Sequence, residues 1–155
     1  MNYQYDAIVI GVSTGGLDAL ETVFSLFTDD FAVPVMVVQH RGRDRDANDF
    51  ICRHLAGFCG SDVREAEDKE PVRPGHIYIA PPNYHLMVEM NRTLSLSVDP
   101  PVNFSRPSID VLFETAAEVY KDKLVGVVMT GANNDGSTGL KKIKRLGRAC
   151  ISSEA

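Results

Sequence analysis

The sequence predicts an α/β fold, a doubly wound and mostly parallel sheet with flanking helices and one antiparallel hairpin. Two observations carry this expectation. The runs AIVIG at 7–11, VPVMVVQ at 33–39 and LVGVVMT at 124–130 are short, rich in β-branched residues and apolar almost throughout, as strands covered on both faces are. Segments with apolar residues at steps of three and four follow the first two runs. A strand–helix–strand–helix order argues for parallel strands with crossover helices.

Each element has its own signal. After the first strand, Leu17, Leu20, Val23 or Phe24, and Phe27 mark a helix beginning at Gly16. Pro34 opens the second strand, a position where the missing N–H is tolerated. Residues 46–59 suit a helix with Phe50, Ile51, Leu55 and Phe58 inward. The middle of the chain differs. Residues 62–66, 76–80, 85–90 and 93–98 are short strand candidates, and the last two flank Asn91-Arg92 as a hairpin. Pro71, Pro74, Gly75, Pro81 and Pro82 punctuate this part. DPPVNFSRP reads as a loop. Ser108 can then cap a helix to about Tyr120, with Ile109, Leu112, Phe113, Ala116 and Val119 inward. A helix over 137–146 and a strand over 149–152 close the pattern. With 155 residues and no repeat or linker, the expectation is one domain, 1–155.

Composition narrows the function classes. A formal net charge of −5 opposes a nucleic-acid binder, which needs a basic footprint. No apolar run approaches the roughly 20 residues of a membrane-spanning helix. MNYQYD lacks the basic start and apolar stretch of a signal peptide. The expectation is a cytoplasmic protein without membrane insertion. Cys52, Cys59 and Cys150 show no metal-like spacing and read as reduced core residues. Neither a metal nor an organic cofactor is implied.

In open parallel sheets, sites form outside the carboxyl ends of the strands. The first predicted strand runs into Ser13, the second ends on His40, and the 124–130 strand leads into GANNDG, which holds Asp135. A hydroxyl, an imidazole and a carboxylate thus fall on one edge. Those three groups make an activated serine: the hydroxyl attacks, the imidazole takes its proton, and the carboxylate orients the imidazole and stabilises its cation. Each has a plainer reading, Ser13 as a helix cap, His40 as a polar end to a strand, Asp135 as a turn or cap residue. Gly15 and Gly16 allow close backbone approach, and the helix that starts there directs N–H groups toward the turn as an oxyanion site. A phosphate cradle fits less well, since GVSTGG is not G-x-G-x-x-G and carries no P-loop lysine.

These residues resemble the catalytic domain of the CheB family, the bacterial chemotaxis protein-glutamate methylesterases. The likeness runs through IGVSTGG at 10–16, VVQH at 37–40, EAEDKEPVRPGHIYIAPPNYHL at 65–86, RPSIDVLF at 106–113 and VGVVMTGANNDGSTGL at 125–140. It implies a Rossmann-like methylesterase domain. The activity implied is hydrolysis of glutamyl γ-methyl esters on the cytoplasmic helices of methylated chemoreceptors, with release of methanol and deamidation of certain glutamines. It carries the catalytic serine, histidine and aspartate onto Ser13, His40 and Asp135. Thr14, Gly15, Gly16, Ala132, Asn133 and His85 fall in matched segments, as candidates for substrate or oxyanion contact. For His85 a structural role is an equal reading, and His54 and His76 read as surface or satisfied core residues.

Two departures stand out. Ala132 and Asn133 occupy positions where the family usually has methionine and glycine. The family also continues past ISSEA for a few tens of residues, including a Gly-Met-Pro motif, so the expectation is a domain without that segment. It is also a chain without the family's receiver, whose regulatory or signalling partner would lie on another chain. The run Lys141, Lys142, Lys144, Arg145 and Arg148 reads first as a solvated face at a helix C-terminus, and second as a surface for an acidic receptor helix. The competing function is a non-catalytic binding module of the same fold, with impaired turnover. Methanol release separates the two.

Overall fold

The computed structural model describes residues 5–13, 16–40, 45–129, 134–146 and 149–153, with the side chains of 45–49 and 149–153 outside the description. Its centre is a six-stranded, all-parallel sheet. In chain order the strands and helices are β1 (Ala7–Val12), α1 (Leu17–Ser25), β2 (Val35–Gln39), α2 (Arg45–Ala56), β3 (Asp62–Glu65), β4 (His76–Ile79), β5 (His85–Val88), β6 (Leu94–Ser97), α3 (Ile109–Tyr120), β7 (Leu124–Met129), α4 (Ser137–Arg145) and β8 (Ala149–Ser153). The sheet order is β3-β4-β2-β1-β7-β8, and β5-β6 form a separate antiparallel pair. The three apolar runs therefore lie side by side as β2-β1-β7.

Alternation along the central strands sorts their side chains between two cores. Ile10, Val12, Val35, Val37, Ile77 and Ile79 face α1 and α2, where Leu20, Phe24, Ile51 and Leu55 meet them. Ala7, Val9, Met36, Val38, Tyr78 and Leu124 face the other way, toward Leu112, Phe113 and Ala116 of α3, Ile143 of α4, and Leu86 and Val88 of the hairpin. A strand flanked by both cores has no polar side, which is why its sequence carries no polar alternation.

The structure differs from the sequence reading in α2. Phe50 is 57% exposed and Phe58 37% exposed. Ile51, Cys52 and Leu55 are the residues that α2 turns inward. Phe50, His54 and Phe58 instead form a row at spacing four on the outer face, with ring centroids 5.6 and 5.3 Å apart. His54 is paired with Glu21 at 2.6 Å. Cys52 is buried and Cys59 half-buried, both as free thiols; Cys150 lies where side chains are not described.

The middle of the chain joins the parallel sheet more fully than its punctuation suggests. β3 and β4 pair in parallel, although no helix connects them. Their link is stitched to the hairpin instead: Lys69 N–H donates to the Leu94 carbonyl at 2.7 Å, and Leu94 N–H to the Glu70 carbonyl at 2.8 Å. The hairpin itself rests on α3, where Val88 N–H donates to Thr115 Oγ1 at 3.0 Å.

Candidate active site

β1 and β2 run parallel with Val12 opposite Gln39, and β1 and β7 with Val12 opposite Met129. One residue further, His40 N–H donates to the Val12 carbonyl at 2.8 Å, and Ser13 N–H to the Met129 carbonyl at 3.4 Å. Ser13 and His40 are thus neighbours at adjacent strand ends. Parity also places them on one face. His40 follows Met36 and Val38, and Ser13 follows Val9 and Gly11, all on the α3 side of the sheet. Gly11 matters here, because a Cβ on it would run into the Ile109 side chain. A bare glycine lets the first residue of α3 press against the sheet just below Ser13.

Asp135 comes from the segment between β7 and α4. It is only 4% exposed. Its Oδ2 accepts from His40 Nε2 at 2.7 Å and from Ile109 N–H at 2.6 Å. Its Oδ1 accepts from Ser108 Oγ at 2.7 Å and from Asp110 N–H at 3.0 Å. The carboxylate therefore sits on the N-terminus of α3, where backbone N–H groups lack helical partners and the dipole favours negative charge. Burial alone would raise its pKa. The His40 bond, the two backbone N–H groups and the Ser108 hydroxyl outweigh that and hold it below the usual carboxylate value. An ionised Asp135 requires its His40 partner to donate, which fixes the Nε2–H tautomer and leaves Nδ1 as the accepting nitrogen of the neutral ring.

A second carboxylate mirrors the first. Asp110, in the first turn of α3, accepts from Gly136 N–H at 3.0 Å and Gly139 N–H at 2.7 Å, at the N-terminus of α4. Asn103 Nδ2 donates to its other oxygen at 2.8 Å. Each helix thus receives an aspartate supplied from the other's end. Burial and the nearby Asp135 charge push the Asp110 pKa up against these donors.

Ser108 and Asp110 are the residues that sequence reasoning assigned too little. Ser108 was expected as a cap, and it accepts from Val111 N–H at 3.4 Å. Its hydroxyl also donates to Asp135, a contact that joins residues 27 positions apart and leaves no local pattern. His85 is 2% exposed. Its Nε2 meets the Pro100 carbonyl at 3.0 Å, and its Nδ1 accepts from Ser108 N–H at 3.2 Å. It supports the start of α3 from inside the fold. Gly16 is buried beside Ser13, donates to the Ser13 carbonyl at 3.1 Å and precedes α1 with no side-chain cap. Thr14, Gly15, Ala132 and Asn133 lie outside the described residues. Among the described residues, no group of His, Cys, Asp or Glu could hold a metal ion.

A doubly wound parallel sheet with a serine, a histidine and a buried aspartate along its carboxyl edge defines an α/β protein of hydrolase type. The comparisons with known proteins make this specific. The CheB methylesterase family model matches residues 8–155, and the chain belongs to that family. A protein of Leptospira interrogans, provisionally named a protein-glutamate methylesterase/protein-glutamine glutaminase, is 54% identical over 148 residues, covering 96% of this chain and 76% of its own length. The protein-glutamate methylesterase/protein-glutamine glutaminase of Clostridium acetobutylicum is 40% identical over 149 residues, and this chain spans 42% of its length. The crystal structure of the Thermotoga maritima CheB methylesterase catalytic domain superposes with a TM-score of 0.87 at 34% identity, covering 95% of this chain and 78% of that one.

Proposed function

We propose that this protein is a serine hydrolase that removes methyl groups from glutamyl γ-methyl esters on chemoreceptor-type proteins, with Ser13 as nucleophile, His40 as general base and Asp135 as the group that orients His40. The observation that carries the reading is the 2.7 Å bond between His40 Nε2 and Asp135 Oδ2, formed where the register sets Ser13 beside His40. Family membership and the names of the relatives support the substrate class.

The steps follow from these groups. Ser13 Oγ attacks the ester carbonyl while His40 Nδ1 takes its proton, and the imidazolium is stabilised by Asp135. The tetrahedral oxyanion is met by the uncapped N-terminus of α1, which opens at Gly16 beside Ser13. Collapse breaks the bond to the methoxy group, which takes the proton from His40 and leaves as methanol. Water then attacks the acyl-serine with His40 again accepting a proton, and glutamate and free Ser13 are released. With glutamine in place of the ester, ammonia leaves instead of methanol. No step calls for a metal or an organic cofactor.

The reading carries a cytoplasmic location, because the substrate is the cytoplasmic part of a receptor. Among the described residues no helix is long and apolar enough to cross a membrane. A regulatory partner, where one acts, would reach this site from outside the sheet edge. The test is methanol release from membranes carrying methylated receptor. Wild type releases methanol and Ser13→Ala does not. Binding without release by the wild type establishes the non-catalytic module instead.

A further inference from the structure

Phe104 is fully exposed, at 104% of the reference area, on the segment that leads into α3. It sits at the tip of a tight turn. Val102 and Ser105 exchange both backbone hydrogen bonds at 3.0 Å, and the two residues between them, Asn103 and Phe104, have φ of 51° and 63°. A turn with both central φ values positive favours Asn and Gly. Asn103 meets that demand and a bulky phenylalanine does not. Solvent exposure is equally unfavourable for its ring. Neither the local backbone nor the core accounts for an aromatic residue here.

The turn is built rigidly and close to the site. Asn103 Nδ2 holds it to Asp110 at 2.8 Å, in the helical turn whose N–H groups bind Asp135. Arg106 braces its other side. Its NH1 donates to the carbonyls of Val98 and Asp99 at 2.9 and 3.2 Å, and its NH2 to Asn83 Oδ1 at 2.9 Å. Val98 is itself 66% exposed on the same segment. Strained, over-determined backbone of this kind gathers at ligand clamps. A pre-set aromatic loses little freedom on binding.

We infer that Phe104 is a docking residue for the protein substrate, a pre-positioned aromatic anchor that seats the ester-bearing segment against the edge holding Ser13, His40 and Asp135. The inference rests on the methylesterase reading for the identity of the occupant. The occupant is the substrate chain because the turn and the carboxylate share one anchorage, the first turn of α3. Aromatic residues are enriched at such contacts, and a few buried anchors carry most of the binding.

The experiment uses the purified cytoplasmic fragment of a methylated bacterial chemoreceptor as the probe. Its Kd is measured with Ser13→Ala, which removes turnover, and with Ser13→Ala combined with Phe104→Gly or Phe104→Tyr. Glycine relieves the positive φ, so the fold is retained and its melting temperature equals or exceeds the parent's. The expected result is about tenfold weaker binding for Phe104→Gly, near-parental binding for Phe104→Tyr, and a matching rise in KM for methanol release in the Ser13 background. Phe104→Gly binding as tightly as the parent overturns the assignment, as does a parent that does not bind the fragment at all. The methylesterase reading is decided separately, by whether wild type releases methanol from the methylated fragment in a Ser13-dependent way, whatever the effect of Phe104→Gly on binding.

Discussion

Ser108→Ala tests the claim that the start of α3 holds the Asp135 carboxylate. The side chain is completely buried, so the substitution removes one oxygen and creates little space. Two hydrogen bonds go with it, the 2.7 Å donation to Asp135 and the weaker cap to Val111 N–H. A hydrogen bond to a charged group contributes roughly 1.5–3 kcal/mol, and a serine cap about 1 kcal/mol. The two share one atom and do not add fully, so a loss of about 3 kcal/mol is expected, or about 6–12 °C in melting temperature for a chain of this size. Asp135 keeps His40 Nε2, Ile109 N–H and Asp110 N–H as donors. The rate should therefore fall only about tenfold, well short of the ~10²-fold cost of a full 1 Å misplacement. The pH dependence identifies the cause. Asp135 has a lowered pKa in the folded state, so its contribution is present above the unfolded value of about 3.9 and is lost as pH falls through the folded value. Ser108→Ala raises that folded value. The stability gap to wild type should persist at about pH 5 and narrow below about pH 3.9. Chemical denaturation at several pH values reads it. A loss below about 0.5 kcal/mol, typical of an uninvolved surface site, would refute the reasoning.

Three further outcomes are expected. A small sulfonyl fluoride should label Ser13 and no other serine, as peptide mass mapping would show; label elsewhere, or none on folded protein, counts against a nucleophilic Ser13. Asp135→Asn should lower the rate by roughly 10⁴-fold, because an amide can hold His40 in the wrong tautomer, and steady-state kinetics near wild type would remove Asp135 from the mechanism. Gly11→Ala should cost roughly 1–3 kcal/mol by thermal melting, because its Cβ overlaps Ile109; activity should fall with it, since Ile109 N–H is a ligand of Asp135.

The sheet was legible because its strands are covered on both faces and leave an uninterrupted apolar signature. The site edge was legible because parallel strands end together, so three chemically distinct residues at three strand ends must converge. The outward turn of Phe50 and Phe58 was not legible. Helical periodicity shows that a face exists, but Phe50 and Ile51 are adjacent, and only the packing against β3 and β4 decides which of them looks inward. The supports of Asp135 were hidden for another reason. Ser108 carries a complete local explanation as a cap, and a residue with one sufficient role gives no sign of a second partner 27 positions away.

Those supports change how the aspartate should be regarded. On sequence grounds it belongs to a glycine-flanked turn, the member of the three most open to displacement. In the fold it is the least exposed of them, because the exchange of Asp135 and Asp110 between two helix N-termini ties it to α3, and ties α3 to α4. Two carboxylates so close would repel if either lacked donors, and Asp110 shows the strain in its raised pKa. Backbone N–H groups meet the cost, and they cannot rotate away as side chains do. The position of Asp135, and through it the orientation of His40, is therefore set by the packing of two helices on the sheet. A mutation that shifts α3 or α4 along its axis should then appear first as a loss of His40 alignment, before the sheet itself is weakened.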